Sequence, residues 1–104
     1  MGACDFYVVA KGATADKAFA SAVSDAKYES GHGGYTGTIA EKHSFVMIPF
    51  ADSAPDPATN RSLAMAYAGA MVSEGDPRVD DKWGPAGCIS LGMSEWLFFG
   101  TASS

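Results

Sequence analysis

Three short stretches hold the side chains able to do chemistry. In Gly31-His32-Gly33-Gly34-Tyr35-Thr36-Gly37-Thr38, glycines expose backbone N–H groups and the Tyr and Thr hydroxyls can donate or accept. That combination suits a polar or anionic ligand. The stretch is not a nucleotide P-loop, which runs from a strand into a helix N-terminus and ends in Gly-Lys-Ser/Thr. A glycine stop to a preceding helix accounts for Gly31 and Gly33 without any ligand. It leaves His32, Tyr35, Thr36 and Thr38 unexplained.

The second stretch, Glu41-Lys42-His43, could supply an acid–base pair or a charged contact. In an extended chain Glu41 and His43 share one face and Lys42 takes the other; a solvated turn is the simpler reading. The third contains Asp76, Asp80 and Asp81 and runs on through Lys82-Trp83-Gly84-Pro85. Its acids lack the spacing of a calcium loop, so no metal is expected. Trp83, on a short Gly-Pro loop, either stacks on a planar ligand, anchors a partner or caps the core. Cys88 sits in an apolar run where burial would raise its pKa and blunt it as a nucleophile, so core packing is its expected role. No Gly-x-Ser-x-Gly, His-Glu-x-x-His or Cys-x-x-Cys pattern is present.

These stretches must be positioned by regular elements. Phe6-Tyr7-Val8-Val9-Ala10 reads as a buried strand ended by Lys11-Gly12. Thr14 can cap a helix whose apolar stripe is Ala15, Ala18, Phe19, Ala22, Val23 and Ala26, with Gly31 as its stop. Tyr35 to Lys42 and Ser44 to Phe50 read as strands, a hairpin or one long bent strand, with Gly37 marking a bulge or a close approach. Prolines 49, 55 and 57 make residues 51–58 a loop. A second helix is predicted to begin near Thr59 or Asn60 and to end at Gly75-Asp76-Pro77, with Leu63, Ala64, Tyr67, Ala68, Met71 and Val72 as its stripe. Ala86 to Leu91 and Glu95 to Thr101 read as a closing hairpin across Gly92-Met93-Ser94. The predicted fold is α+β, in the order β-α-β-β-α-β-β, with both helices packed on one face of a mostly antiparallel sheet.

With 104 residues, 47% of them hydrophobic, the chain is expected to form one domain over residues 1–104. Seven basic against twelve acidic residues, a net charge of −5, work against binding a nucleic-acid polymer. A small phosphorylated ligand needs only one or two local cations and stays open. Two cysteines are too few for a disulfide scaffold, so Cys4 and Cys88 are expected as buried thiols in a reducing compartment. The opening residues carry no basic and apolar leader, and no run of about eighteen apolar residues occurs. A cytoplasmic protein outside the membrane is therefore expected, and exposed sheet edges would allow a homo-oligomer.

Gly34-Tyr35-Thr36-Gly37-Thr38-Ile39-Ala40-Glu41-Lys42, Asp81-Lys82-Trp83-Gly84-Pro85-Ala86-Gly87-Cys88 and Leu97-Phe98-Phe99-Gly100 resemble segments of small uncharacterised proteins from bacteriophages and their actinobacterial hosts. The resemblance covers about a third of the chain and carries no catalytic residue. It implies a phage accessory protein in the host cytoplasm, of a kind that blocks a host protein or sequesters a signalling nucleotide to counter host defence.

The leading expectation is thus a non-enzymatic protein binding a small polar, nucleotide-like ligand without a cofactor. Its site would comprise His32, Gly33, Gly34, Tyr35, Thr36, Thr38, Lys42 and Trp83: backbone N–H groups and Lys42 on phosphate, Tyr35 or Trp83 on a base. The alternative is an inhibitor that presents an acidic surface or an open strand edge to a host protein. A small enzyme using His32, His43 and Glu41 ranks third.

Overall fold

The structure, a computed structural model, describes residues 2–30, 37–50 and 55–103. Strand β1 (Ala3–Lys11) leads through Gly12 into helix α1 (Ala15–Ser30), and a 3-10 turn (Ile39–Glu41) precedes the short strand β2 (Phe45–Met47). Helix α2 (Pro57–Ser73) then crosses to β3 (Ala86–Gly92), which turns back into β4 (Glu95–Ser103). Among the described residues the sheet has the order β1-β4-β3-β2. β4 is antiparallel to both β1 and β3, and β2 is parallel to β3. The fold is α+β with a mostly antiparallel sheet, as expected. The predicted order holds slot for slot, except that the 3-10 turn fills the place where a strand over Tyr35–Lys42 was expected.

Both helix starts follow from their first residues. Thr14 Oγ1 accepts from the Lys17 N–H at 3.2 Å, the cap read from the sequence. Just before it, a Cβ on Gly12 would come within 2.6 Å of the Ala18 nitrogen, so only glycine lets β1 turn directly into α1. Helix α2 starts three residues earlier than Asn60, because Asp56 caps it, accepting from the Thr59 N–H at 3.0 Å, and Pro57 occupies the first turn.

The helices do not share a face, which corrects the expected arrangement. Side chains alternate along β4: Phe98 and Ala102 join Phe6, Cys88, Ala18 and Ala22 in one core, while Leu97 and Phe99 join Ile89, Ala64, Ala68 and Met71 in another. One core lies under α1 and the other under α2. The alternation of Trp96-Leu97-Phe98-Phe99 supplies apolar surface to both sides of the sheet, so both sides need a helix. β3 makes room with small residues. Over Ala86 and Cys88, Phe98 of β4 reaches Phe45 of β2, and Phe19 of α1 completes the triangle, with ring centroids 5.2–5.7 Å apart. On the other face a Cβ at Gly87 would fall 2.7 Å from the Phe99 ring.

The β3–β4 hairpin turns at Met93 and Ser94, both left-handed (φ 52° and 63°). Such a turn ordinarily takes Asn-Gly, since a side chain in this region costs about 1–2 kcal/mol per residue. Replacing Met93 with Asn and Ser94 with Gly is expected to raise the thermal midpoint by roughly 5–10 °C, measured by circular dichroism. An unchanged midpoint would show that the turn carries no such strain.

Candidate functional site

The sequence-predicted site residues divide into three groups. His32, Gly33, Gly34, Tyr35 and Thr36 lie outside the described residues. Thr38 caps the 3-10 turn, its Oγ1 accepting from the Ala40 N–H at 3.2 Å. Lys42 and Trp83 come together at the 81–84 loop.

Lys42 is 3% exposed. Its ammonium donates to the carbonyl oxygens of Gly84 at 2.9 Å, Asp81 at 3.2 Å and Lys82 at 3.4 Å. A lysine has three N–H donors, and these three carbonyls match them. Burial lowers its pKa, and the nearby Asp81 opposes that in part. Lys42, expected on a ligand phosphate, donates here to the protein's own backbone. Its charge is spent inside the protein, fastening the 81–84 loop to the end of the 3-10 turn.

The fastened loop presents Trp83, which is 62% exposed and does not cap the core. Asp81 shapes the turn: its Oδ1 accepts from the Trp83 N–H at 2.9 Å, and its carbonyl accepts from the Gly84 N–H at 2.9 Å. The Lys82 ammonium stands 5.5 Å from the Trp83 ring centroid, within cation–π range. Asp76, the first acid of this stretch, accepts from the Arg78 guanidinium at 2.8 and 3.0 Å and from the Arg78 N–H at 3.0 Å, bonds that depress its pKa to about 2. Asp76 and Asp81 thus serve local turns. Because Glu41 ends a 3-10 turn and Lys42 caps it, strand alternation does not set Glu41 and His43 on one face. His43 instead borders a shallow hollow of about 500 Å³ with Phe19, Ala20, Val23, Ser24, Lys27 and Lys42.

The larger concavity lies on the opposite flank of α1. A groove of about 660 Å³ follows β1 from Asp5 to Lys11, with Ser21, Ala22, Asp25, Ala26 and Glu29 of α1 along its side and Gly37, Thr38 and Ile39 at its end. β1 was expected to be a buried strand. It is an edge strand instead, with Tyr7 38% and Val9 36% exposed. Its backbone polarity follows from the ladder. The Gly12 N–H donates to the Ser94 carbonyl and the Thr101 N–H points away from β1 to the Val79 carbonyl. With the β1–β4 register, this places the N–H and C=O groups of Phe6, Val8 and Ala10 on β4 and those of Asp5, Tyr7, Val9 and Lys11 on the outer edge. Among the described residues no strand pairs with that edge.

The groove was missed in the sequence because the apolar run Phe6–Ala10 suggested full burial. The available signal was Ser21, Asp25 and Glu29 repeating every fourth residue beside the helix's buried stripe.

No family model, curated protein or solved structure matches this chain. The functional reading rests on its own geometry.

Two expected outcomes follow from these contacts. Lys42→Met strands three carbonyls in a partly buried loop and is expected to cost about 3 kcal/mol in urea unfolding, whereas Trp83→Ala should cost under about 0.5 kcal/mol; equal losses would deny Lys42 its fastening role. The thiols also differ. Cys4 is exposed, contrary to expectation, while Cys88 is wholly buried and its pKa is pushed up to about 12 by desolvation. At pH 8 a disulfide reagent should label one thiol per native chain and two in denaturant; two in the native state would mean that the core opens readily.

Proposed function

We propose that this protein is a non-enzymatic interaction module that binds an extended segment of a partner protein along the outer edge of β1. The observation that carries the reading is the nine-residue edge strand bordered by its own groove. An added strand gains main-chain hydrogen bonds from the outward groups of Asp5, Tyr7, Val9 and Lys11, while alternate side chains enter the groove or lie beside Tyr7 and Val9. Nothing in this requires catalysis. If the chain is a phage accessory protein, as its resemblance implies, the partner is a host protein.

Sequestration of a nucleotide-like ligand is the second reading, favoured by the hollow in which Lys27 and His43 flank the apolar Phe19 and Val23. It ranks lower because Lys42, the cation assigned to phosphate, is committed to three carbonyls.

Val9→Pro separates the edge from the ladder. It removes one outward N–H and leaves the bonds to β4 in place, a position where edge strands tolerate proline. Eight-residue peptides selected from a random display library on the wild-type protein are expected to lose at least about tenfold in affinity for a folded Val9→Pro protein. Failure to select any peptide, or selection of peptides indifferent to Val9→Pro, would reject the reading.

A further inference from the structure

Resting on that reading, we infer that the segment taken up at the β1 edge is basic, with Lys or Arg at alternate positions opposite Asp25 and Glu29. On the α1 side of the edge the groove is lined by two carboxylates, Asp25 and Glu29, and by no ammonium among the described residues; Asp5 and Lys11 border it with their backbone, their side chains leaving from the other face of β1 beside Tyr7 and Val9, where Asp5 accepts from the Thr101 hydroxyl. Both acids are exposed, so the carboxylates are reachable by a docked side chain.

The spacing of the acids matches that of a strand. Ser21, Asp25 and Glu29 form a row on α1 with a step of four residues, about 6 Å along the helix. Side chains on one face of an extended peptide repeat every two residues, about 6.7 Å. A strand lying on β1 therefore brings successive same-face side chains opposite successive members of the row. Lysine and arginine suit the distance, since their long stems can lie over Ala22 and Ala26 while their charged ends reach the carboxylates.

The charges also set a polarity. The chain reverses at Gly12, so Glu29 and Asp25 lie toward the Asp5 end of β1 and the uncharged Ser21 toward the Lys11 end. The basic positions of the incoming segment belong at the Asp5 end. A second copy of this chain fits less well. Two β1 strands paired edge to edge would place their α1 helices on the same face of the merged sheet, each turning its Asp25–Glu29 row toward the other. Like charges so placed repel.

The test uses three fluorescein-labelled eight-residue peptides in anisotropy titrations: one alternating Lys with Val, one with the same residues in two blocks, and one alternating Glu with Val. The alternating Lys peptide is expected to bind roughly tenfold or more tightly than either of the others at low salt, and to weaken as salt rises. In the protein carrying Asp25→Lys with Glu29→Lys, the preference should pass to the Glu peptide; Asp25→Asn with Glu29→Gln should remove it. Equal binding of the alternating and block Lys peptides would overturn the register. Equal binding of all three, still abolished by Val9→Pro, would overturn the charge inference and leave the edge reading standing. Absence of binding by any peptide would overturn both. A native mass spectrum showing a dimer that Val9→Pro dissolves would give the edge to a second copy and overturn the basic partner.

Discussion

The constraint on which the rest of this structure depends is the two-sided apolar character of β4. Leu97 and Phe99 on one face and Phe98 on the other are all fully buried, and a strand of this kind is stable only between two covering layers. α1 and α2 supply those layers, and β3 accommodates the large rings with Ala86, Gly87 and Cys88. With the centre of the sheet covered on both faces, β1 at its margin keeps an open backbone edge and the exposed side chains of Tyr7 and Val9. The placement of the groove at the β1 edge follows from the packing of β4 in the centre.

Lys42 is a second organising element with a different physics. An ammonium removed from water must recover its hydrogen bonds, and here it does so from the backbone of a loop that has little core of its own. The contact fastens the end of the 3-10 turn to a loop some forty residues later in the chain. Trp83 stands mostly in solvent on the loop so fastened.

The sequence made the helices legible because their cues are local: the Thr14 cap, the alanine stripes and the Gly75-Asp76-Pro77 stop each act within a few residues. The closing hairpin was legible for the same reason. The side of the sheet taken by each helix was not, because it depends on which strand becomes central, and that is a long-range outcome of pairing β1 with β4. The 3-10 turn at Ile39–Glu41 was hidden by Tyr, Thr and Ile, residues that favour strands, while the cap at Thr38 and the burial of Ile39 prevailed. At the candidate site, residue type alone suggested a phosphate ligand for Lys42. A lysine's partner is fixed by what surrounds it in space, and three carbonyls from a distant loop have no signature near position 42.

The two margins of the sheet are unequal. β2 offers three residues and β1 nine, and short edges are poor templates for further pairing. Further pairing of the sheet is therefore favoured at the β1 margin alone, among the described residues. Head-to-tail stacking of copies, β1 of one on β2 of the next, would repeat without end, and the three-residue β2 margin gives it almost no template.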